Sequence, residues 1–106
     1  MRDDVVTAAP AGAYGKPRPV FVVQDDAFAA LRSVTVLPLT NDLQDAPLVR
    51  ITLEPQARNG LQRTSQVMID KAVTLPRSKV QQRIGRIDAA GMRAVNTALS
   101  RFPGLA

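Results

Sequence analysis

Arg18 stands between Pro17 and Pro19, directly before the apolar run Val20-Phe21-Val22-Val23. The two prolines fix their own φ and push Lys16 and Arg18 toward extended backbone, so little freedom is lost when the arginine is aimed at a ligand. A guanidinium suits phosphate, to which its planar fork donates two parallel hydrogen bonds. The plain alternative is a rigid loop with a solvent-facing arginine. Thr40 ends the segment Ser33–Leu39 before a polar loop, where a hydroxyl either points out of a sheet rim or satisfies a turn. Asp70 follows Val67-Met68-Ile69 and is one of two acids in a basic stretch. Its carboxylate has three possible roles: orienting an arginine, accepting a proton, or forming a structural ion pair.

What is missing narrows the chemistry further. The chain has no histidine and no cysteine, which removes the Ser-His-Asp triad, thiolate zinc sites, Fe–S clusters and disulfides together. No carboxylate cluster has metal-ligand spacing, and Gly85 and Gly91 lack the strand-to-helix context of a phosphate-binding fingerprint. Neither a metal nor a cofactor is expected. No apolar run is long enough to span a bilayer and no signal segment precedes the first strand. The expectation is a soluble cytoplasmic protein.

Charge is distributed unevenly. Residues 50–86 hold eight Lys/Arg against Glu54 and Asp70, a net of +6, whereas residues 1–49 hold four against six Asp, a net of −2. A basic half of this kind favours a polyanion, because neutralised phosphates release counterions. A solvated basic surface that keeps a small protein soluble is the competing reading. With few aromatics, the stacking platforms of a dedicated single-strand binder are sparse.

These side chains must be held by a small scaffold. One domain over residues 1–106 is expected, and an apolar fraction of 45% suffices for a core built mainly from Val, Leu and Ile. Strands are predicted around Val5-Val6, over Val20–Gln24 and over Ser33–Leu39, with a short helical turn capped by Asp25-Asp26 between the last two. Leu48–Glu54 alternates, placing Val49, Ile51 and Leu53 inward and Arg50, Thr52 and Glu54 outward. Asn59-Gly60 signals a hairpin turn returning through Ser65–Ile69. Ala72–Leu75 reads as another short strand broken by Pro76, and Lys79–Ile87 as a further strand or an irregular stretch. Asp88 is a good N-cap for a helix over Ala89–Arg101, with Met92, Val95, Leu99 and Phe102 as its packing stripe. The sum is a mainly β protein: a small, strongly bent antiparallel sheet or half-open barrel with a C-terminal helix closing one face.

The order of these segments resembles a known family. Arg2-Asp3-Asp4-Val5-Val6, then Gly15-Lys16-Pro17-Arg18-Pro19-Val20-Phe21-Val22-Val23, then Val36-Leu37-Pro38-Leu39-Thr40 are similar to the MazF/PemK-type toxins of bacterial toxin–antitoxin modules. Ser65–Lys71 and Gly85–Asp88, followed by the helix, extend the likeness over nearly the whole chain. The resemblance implies an SH3-like barrel (α+β), a homodimer, a cognate antitoxin as partner, and metal-independent, sequence-specific cleavage of single-stranded mRNA. It implies catalytic roles at the scissile phosphate for Arg18 and Thr40, with Asp70 a further candidate. Lys16, Arg58, Arg63, Lys71, Arg77, Lys79 and Arg83 are the residues expected to contact RNA. Two positions depart from the pattern: Asp3 stands where the family has glycine, and Met68 where one branch has an arginine that pairs with the aspartate. The alternatives on the same fold are a CcdB-like gyrase poison, whose C-terminal Trp-Gly-Ile is absent here, and a non-catalytic RNA-binding module.

Overall fold

The computed structural model describes residues 3–9, 17–23 and 32–101. Lys16, Phe102 and the short helical turn expected over 25–31 lie outside the described residues. Within them the chain runs β1 (Asp4–Ala8), β2 (Arg18–Val22), β3 (Ser33–Thr40), β4 (Arg50–Leu53), β5 (Ser65–Met68), β6 (Val73–Pro76), β7 (Val80–Arg86) and α1 (Ala89–Arg101). Single 3-10 turns at Ile69–Lys71 and Arg77–Lys79 flank β6.

Every strand pairing is antiparallel, in the order β4-β5-β3-β2-β1-β7, with β6 attached to β3. β3 has two partners along one edge: its first half pairs β6 from Ser33↔Pro76 to Val36↔Val73, and its end pairs β5 through Leu39↔Val67 and Thr40↔Gln66. The other edge pairs β2. Only Arg77–Lys79 joins β6 to β7, yet these strands lie at opposite ends of the row β6-β3-β2-β1-β7. So short a link forces the row to curl until its ends approach. β6 and β7 do not pair, so the sheet is open and strongly bent. The expected bent sheet with one C-terminal helix is therefore present, as an incompletely closed barrel. Lys79–Ile87 resolves into a continuous strand, with register shifts against β1 that place extra residues in β7 at Ile84 and Gln81. Bulges of this kind bend a strand and sharpen its twist.

Alternation divides the apolar residues between two cores. Val5, Phe21, Leu37, Leu39, Val67 and Ile69 face one side, where Met92, Val95 and Ala98 of α1 pack against them. Val6, Ala8, Val20, Val22, Val34, Val36 and Leu75 fill the other, inside the curl. β1, β2 and β3 are thus buried on both faces, and that is why they read as near-continuous apolar runs. Phe21, Leu37 and Ile69 are wholly buried, each contributing roughly 1.5–3 kcal/mol of transfer free energy. The helix begins as expected: Asp88 Oδ1 accepts from the Gly91 N–H at 2.8 Å. Its buried stripe is Met92, Val95 and Ala98, with Leu99 packed partly against the same core.

The expected β4–β5 hairpin exists; its connection covers residues 54–64, with Asn59-Gly60 inside it rather than forming a two-residue turn. Asn59 is buried there and staples the loop, accepting from Gln56 N (3.1 Å) and Leu61 N (3.0 Å) and donating to Glu54 O (2.9 Å). Gly60 has φ +71°, and a Cβ on it would overlap the Ile84 carbonyl. A Cβ on Gly85 would strike the Asn59 carbonyl, so the 58–60 backbone lies directly on the β7 bulge, fixed by Arg86 N–H to Arg58 O at 2.8 Å. Asp3, which stands where the family pattern has glycine, adopts φ +77°, in the left-handed region glycine enters freely and aspartate tolerates better than most residues.

Candidate functional site

β2 begins at Arg18 and β3 ends at Thr40, and their register brings these two ends together. Val20 faces Pro38 and Val22 faces Val36; continuing that register by two residues sets Arg18 opposite Thr40. Both line one cleft of about 520 Å³. Its floor is Thr7, Pro19 and Leu39, and one wall is the 60–63 segment with Ile84. Pro17 lies beside Arg18 in the same lining, so the proline-flanked arginine opens into a concavity rather than onto a flat surface.

The electrostatics of the cleft are those of a set of donors. Arg18 is exposed, and its guanidinium makes no hydrogen bond or ion pair among the described residues. Thr40 Oγ1 accepts from the Asp42 N–H at 3.0 Å. Thr40 therefore satisfies a turn, as its position at the strand end suggested. One lone pair fixes the hydroxyl, and its proton remains available to an incoming oxygen. Arg63 is a second arginine in the same lining. Its loop is held by Asn59, by Thr64 Oγ1 donating to Glu54 Oε2 at 2.9 Å, and by Ser65 Oγ donating to Arg63 O at 3.0 Å. No carboxylate lines the cleft among the described residues. Donors aimed at one place without an acid stabilise developing negative charge.

Asp70 is not part of this lining. Arg50 Nη2 donates to Asp70 Oδ2 at 3.2 Å, with side chains 8% and 26% exposed. The expectation that Arg50 faces outward is thus corrected. It is buried opposite Met68, and the carboxylate of Asp70, two residues further along the chain, meets it there. Position 68 offers Asp70 no arginine, and its ionic partner comes from the facing strand instead. No signal within β4 announces this, since the partner is twenty residues away.

Of the other expected RNA contacts, Arg63 lines the cleft, while Arg58 and Arg83 line a separate one. Lys71, Arg77 and Lys79 line neither, and Lys16 is outside the described residues. Sequence reasoning missed Gln66. It is buried in β5 opposite Thr40, accepting from Gln44 N (3.0 Å), donating to Gln44 O (3.0 Å), and reaching Thr52 Oγ1 (3.3 Å). A buried amide that satisfies both backbone groups of one loop residue fixes the 41–46 loop to the sheet.

With this geometry in place, comparison with known proteins is decisive. The sequence profile of the PemK-like, MazF-like toxins of type II toxin–antitoxin systems matches residues 1–102. The chain belongs to this toxin family. It is 50% identical over 106 residues to the probable endoribonuclease MazF of Mycolicibacterium smegmatis, covering 99% of this chain and 97% of that protein. It is 32% identical over 88 residues to endoribonuclease MazF6 of Mycobacterium tuberculosis, covering 81% of this chain and 77% of the relative. The solved M. tuberculosis toxin MazF-mt6 superposes with a TM-score of 0.77 at 26% identity, covering 90% of each chain. A mycobacterial endoribonuclease in complex with its cognate antitoxin shares the fold, with a TM-score of 0.83 at 24% identity, covering 100% of this chain and 96% of the other.

Proposed function

We propose that this toxin is a sequence-specific endoribonuclease that cleaves single-stranded mRNA at a phosphate held between Arg18 and Thr40. The observation carrying this reading is that two arginines and a threonine whose hydroxyl proton is not used line one cleft, with no carboxylate in the lining among the described residues. Such a site suits a reaction whose nucleophile belongs to the substrate. The RNA 2′-oxygen bonds to phosphorus and the P–O5′ bond breaks. The 2′-hydroxyl proton passes to solvent and the departing 5′-oxygen is protonated, leaving a 2′,3′-cyclic phosphate and a 5′-hydroxyl.

Arg18 neutralises charge on the non-bridging oxygens as the transition state forms, and Thr40 donates to one of them. Arg63 holds the same or the neighbouring phosphate. Asp70, the earlier candidate for proton acceptance, acts through Arg50 as part of the scaffold. The proposed steps draw only on Arg18, Thr40, Arg63 and the RNA's own 2′-hydroxyl, so cleavage is expected to persist in EDTA. By family likeness the toxin works as a homodimer with a cognate antitoxin. No helix among the described residues is long and apolar enough to cross a membrane, and the proposed compartment, where mRNA is found, is the cytoplasm.

The test is incubation with a long single-stranded RNA in EDTA and mass spectrometry of the product ends. Cyclic phosphate ends that disappear with Arg18→Ala support the reading. Intact RNA together with trapped gyrase–DNA complexes would replace it with the gyrase-poison alternative, and RNA binding without cleavage would replace it with the non-catalytic module.

A further inference from the structure

A second concavity, of about 570 Å³, shares no lining residue with the reaction cleft. Four arginines open into it: Arg58, Arg83, Arg86 and Arg93. We propose that it is a distal phosphate-backbone site, gripping the RNA a few nucleotides from the scissile phosphate without reading bases. The proposal rests on the ribonuclease reading above.

The carboxylates around this cleft are already committed. Asp4 Oδ1 takes Arg83 Nε at 3.0 Å, Asp3 Oδ2 lies 3.6 Å from Arg86 Nη2, and Asp88 Oδ1 caps the helix on Gly91 N–H. What the cleft offers a ligand is therefore donors. Arg83 and Arg86 are anchored through one nitrogen each while their side chains stay 57% and 56% exposed. The Arg58 and Arg93 guanidinium groups make no ion pair or hydrogen bond among the described residues. Of the apolar lining residues, Ile87 and Met92 are 5% and 9% exposed and Ala89 exposes only a methyl group, so no large apolar anchor awaits a protein side chain. A surface of guanidinium groups without such an anchor matches a phosphate backbone better than an acidic peptide.

The two clefts are also linked through shared elements. The turn that presents Arg58 continues through Gly60 to Arg63 on the wall of the reaction cleft. On β7, Ile84 faces the reaction cleft, and its neighbours Arg83 and Arg86 line the second. Thr7 of β1 lines the first and Asp3, just ahead of β1, the second, at most about 13 Å apart at the rise of an extended chain. A single strand leaving Arg18 and Thr40 along β1 passes the docked 58–60 turn and meets this second set of donors.

The test is the double variant Arg58→Ala/Arg93→Ala. Both side chains are exposed and unpaired, so a thermal melt matching wild type is expected to confirm folding, and gel filtration should show an unchanged oligomeric state. Binding is read by fluorescence anisotropy on an Arg18→Ala background, with a short oligoribonucleotide spanning only the cleavage sequence and a longer one extended on both sides. The parent protein should bind the longer RNA roughly tenfold tighter, and the double variant should bind both alike. The slope of log affinity against log salt on the longer RNA should fall by about 1.4, at roughly 0.7 per lost phosphate contact. An intact length advantage in the double variant overturns the proposal. So does an equal loss on both RNAs, or a loss confined to an acidic antitoxin segment. Because the readout is binding, failure of the parent enzyme to cleave RNA would count against the ribonuclease reading alone.

Discussion

Asp70→Ala leaves the Arg50 guanidinium, 8% exposed, without its opposite charge. Removing one member of a buried ion pair costs ~3–5 kcal/mol. Here the contact is single, at 3.2 Å, and Asp70 is 26% exposed. Arg50 Nε and Asp70 Oδ1 are also buried without hydrogen-bond partners among the described residues, so the pair is incompletely satisfied. A loss of about 2–3 kcal/mol follows, which lowers the melting midpoint by roughly 10–20 °C for a domain of this size. The same reasoning makes removal of both charges mild: Arg50→Met with Asp70→Leu should recover most of the loss, because no charge is then buried alone. Urea denaturation of the two single variants and the double variant measures the coupling, and RNA cleavage is assayed where all of them are folded. Folded Asp70→Ala should retain kcat/KM within about fivefold of wild type, because a residue outside the cleft makes no contact peculiar to the transition state. The reasoning is refuted if Asp70→Asn melts like wild type yet loses cleavage by a factor of about 100 or more, the scale of a lost acid–base catalyst.

Three further outcomes are expected. Thr40→Val should lower kcat by about 10²–10³, the scale of one lost charge-stabilising donor, whereas Thr40→Ser should keep most activity; single-turnover cleavage distinguishes them. Gly85→Ala forces a methyl into the Asn59 carbonyl and should cost about 3 kcal/mol, the upper range for overpacking, read as a shift of the urea midpoint. Gln66→Met keeps the buried volume but releases both backbone groups of Gln44. It should broaden the cleavage sites seen by RNA sequencing and raise KM more than it lowers kcat.

The parts legible in the sequence are those decided by neighbours along the chain. Asp88 and the spacing of Met92 and Val95 define the helix, the apolar run at Val20 defines a strand buried on both faces, and the alternation from Val34 defines the next strand. Parts decided by distant partners were misread or not seen. Alternation in β4 turns Arg50 outward, and only Asp70 on another element turns it in. Asn59-Gly60 carries the composition of a tight turn, but the β7 backbone it docks on makes it a buried staple. Arg18 and Thr40 were singled out by proline spacing and by position at a strand end. Their juxtaposition depends on the β2–β3 register, which local sequence does not encode. Gln66 gave no signal because both of its partners lie across the fold.

β3 is hydrogen-bonded along both edges, and its inward valines are wholly buried. In a hydrogen-exchange experiment its amides and those of β2 should be the last to exchange, opening only when the whole protein unfolds. Arg18 and Thr40 are tethered to the ends of this slowest unit, whereas residues 41–49 and 54–64 are carried on connections that open more readily. The Arg18–Thr40 pair and the two connections thus sit on parts of the molecule with different local stabilities, and insertions or substitutions in the connections should leave intact the strands that hold the pair.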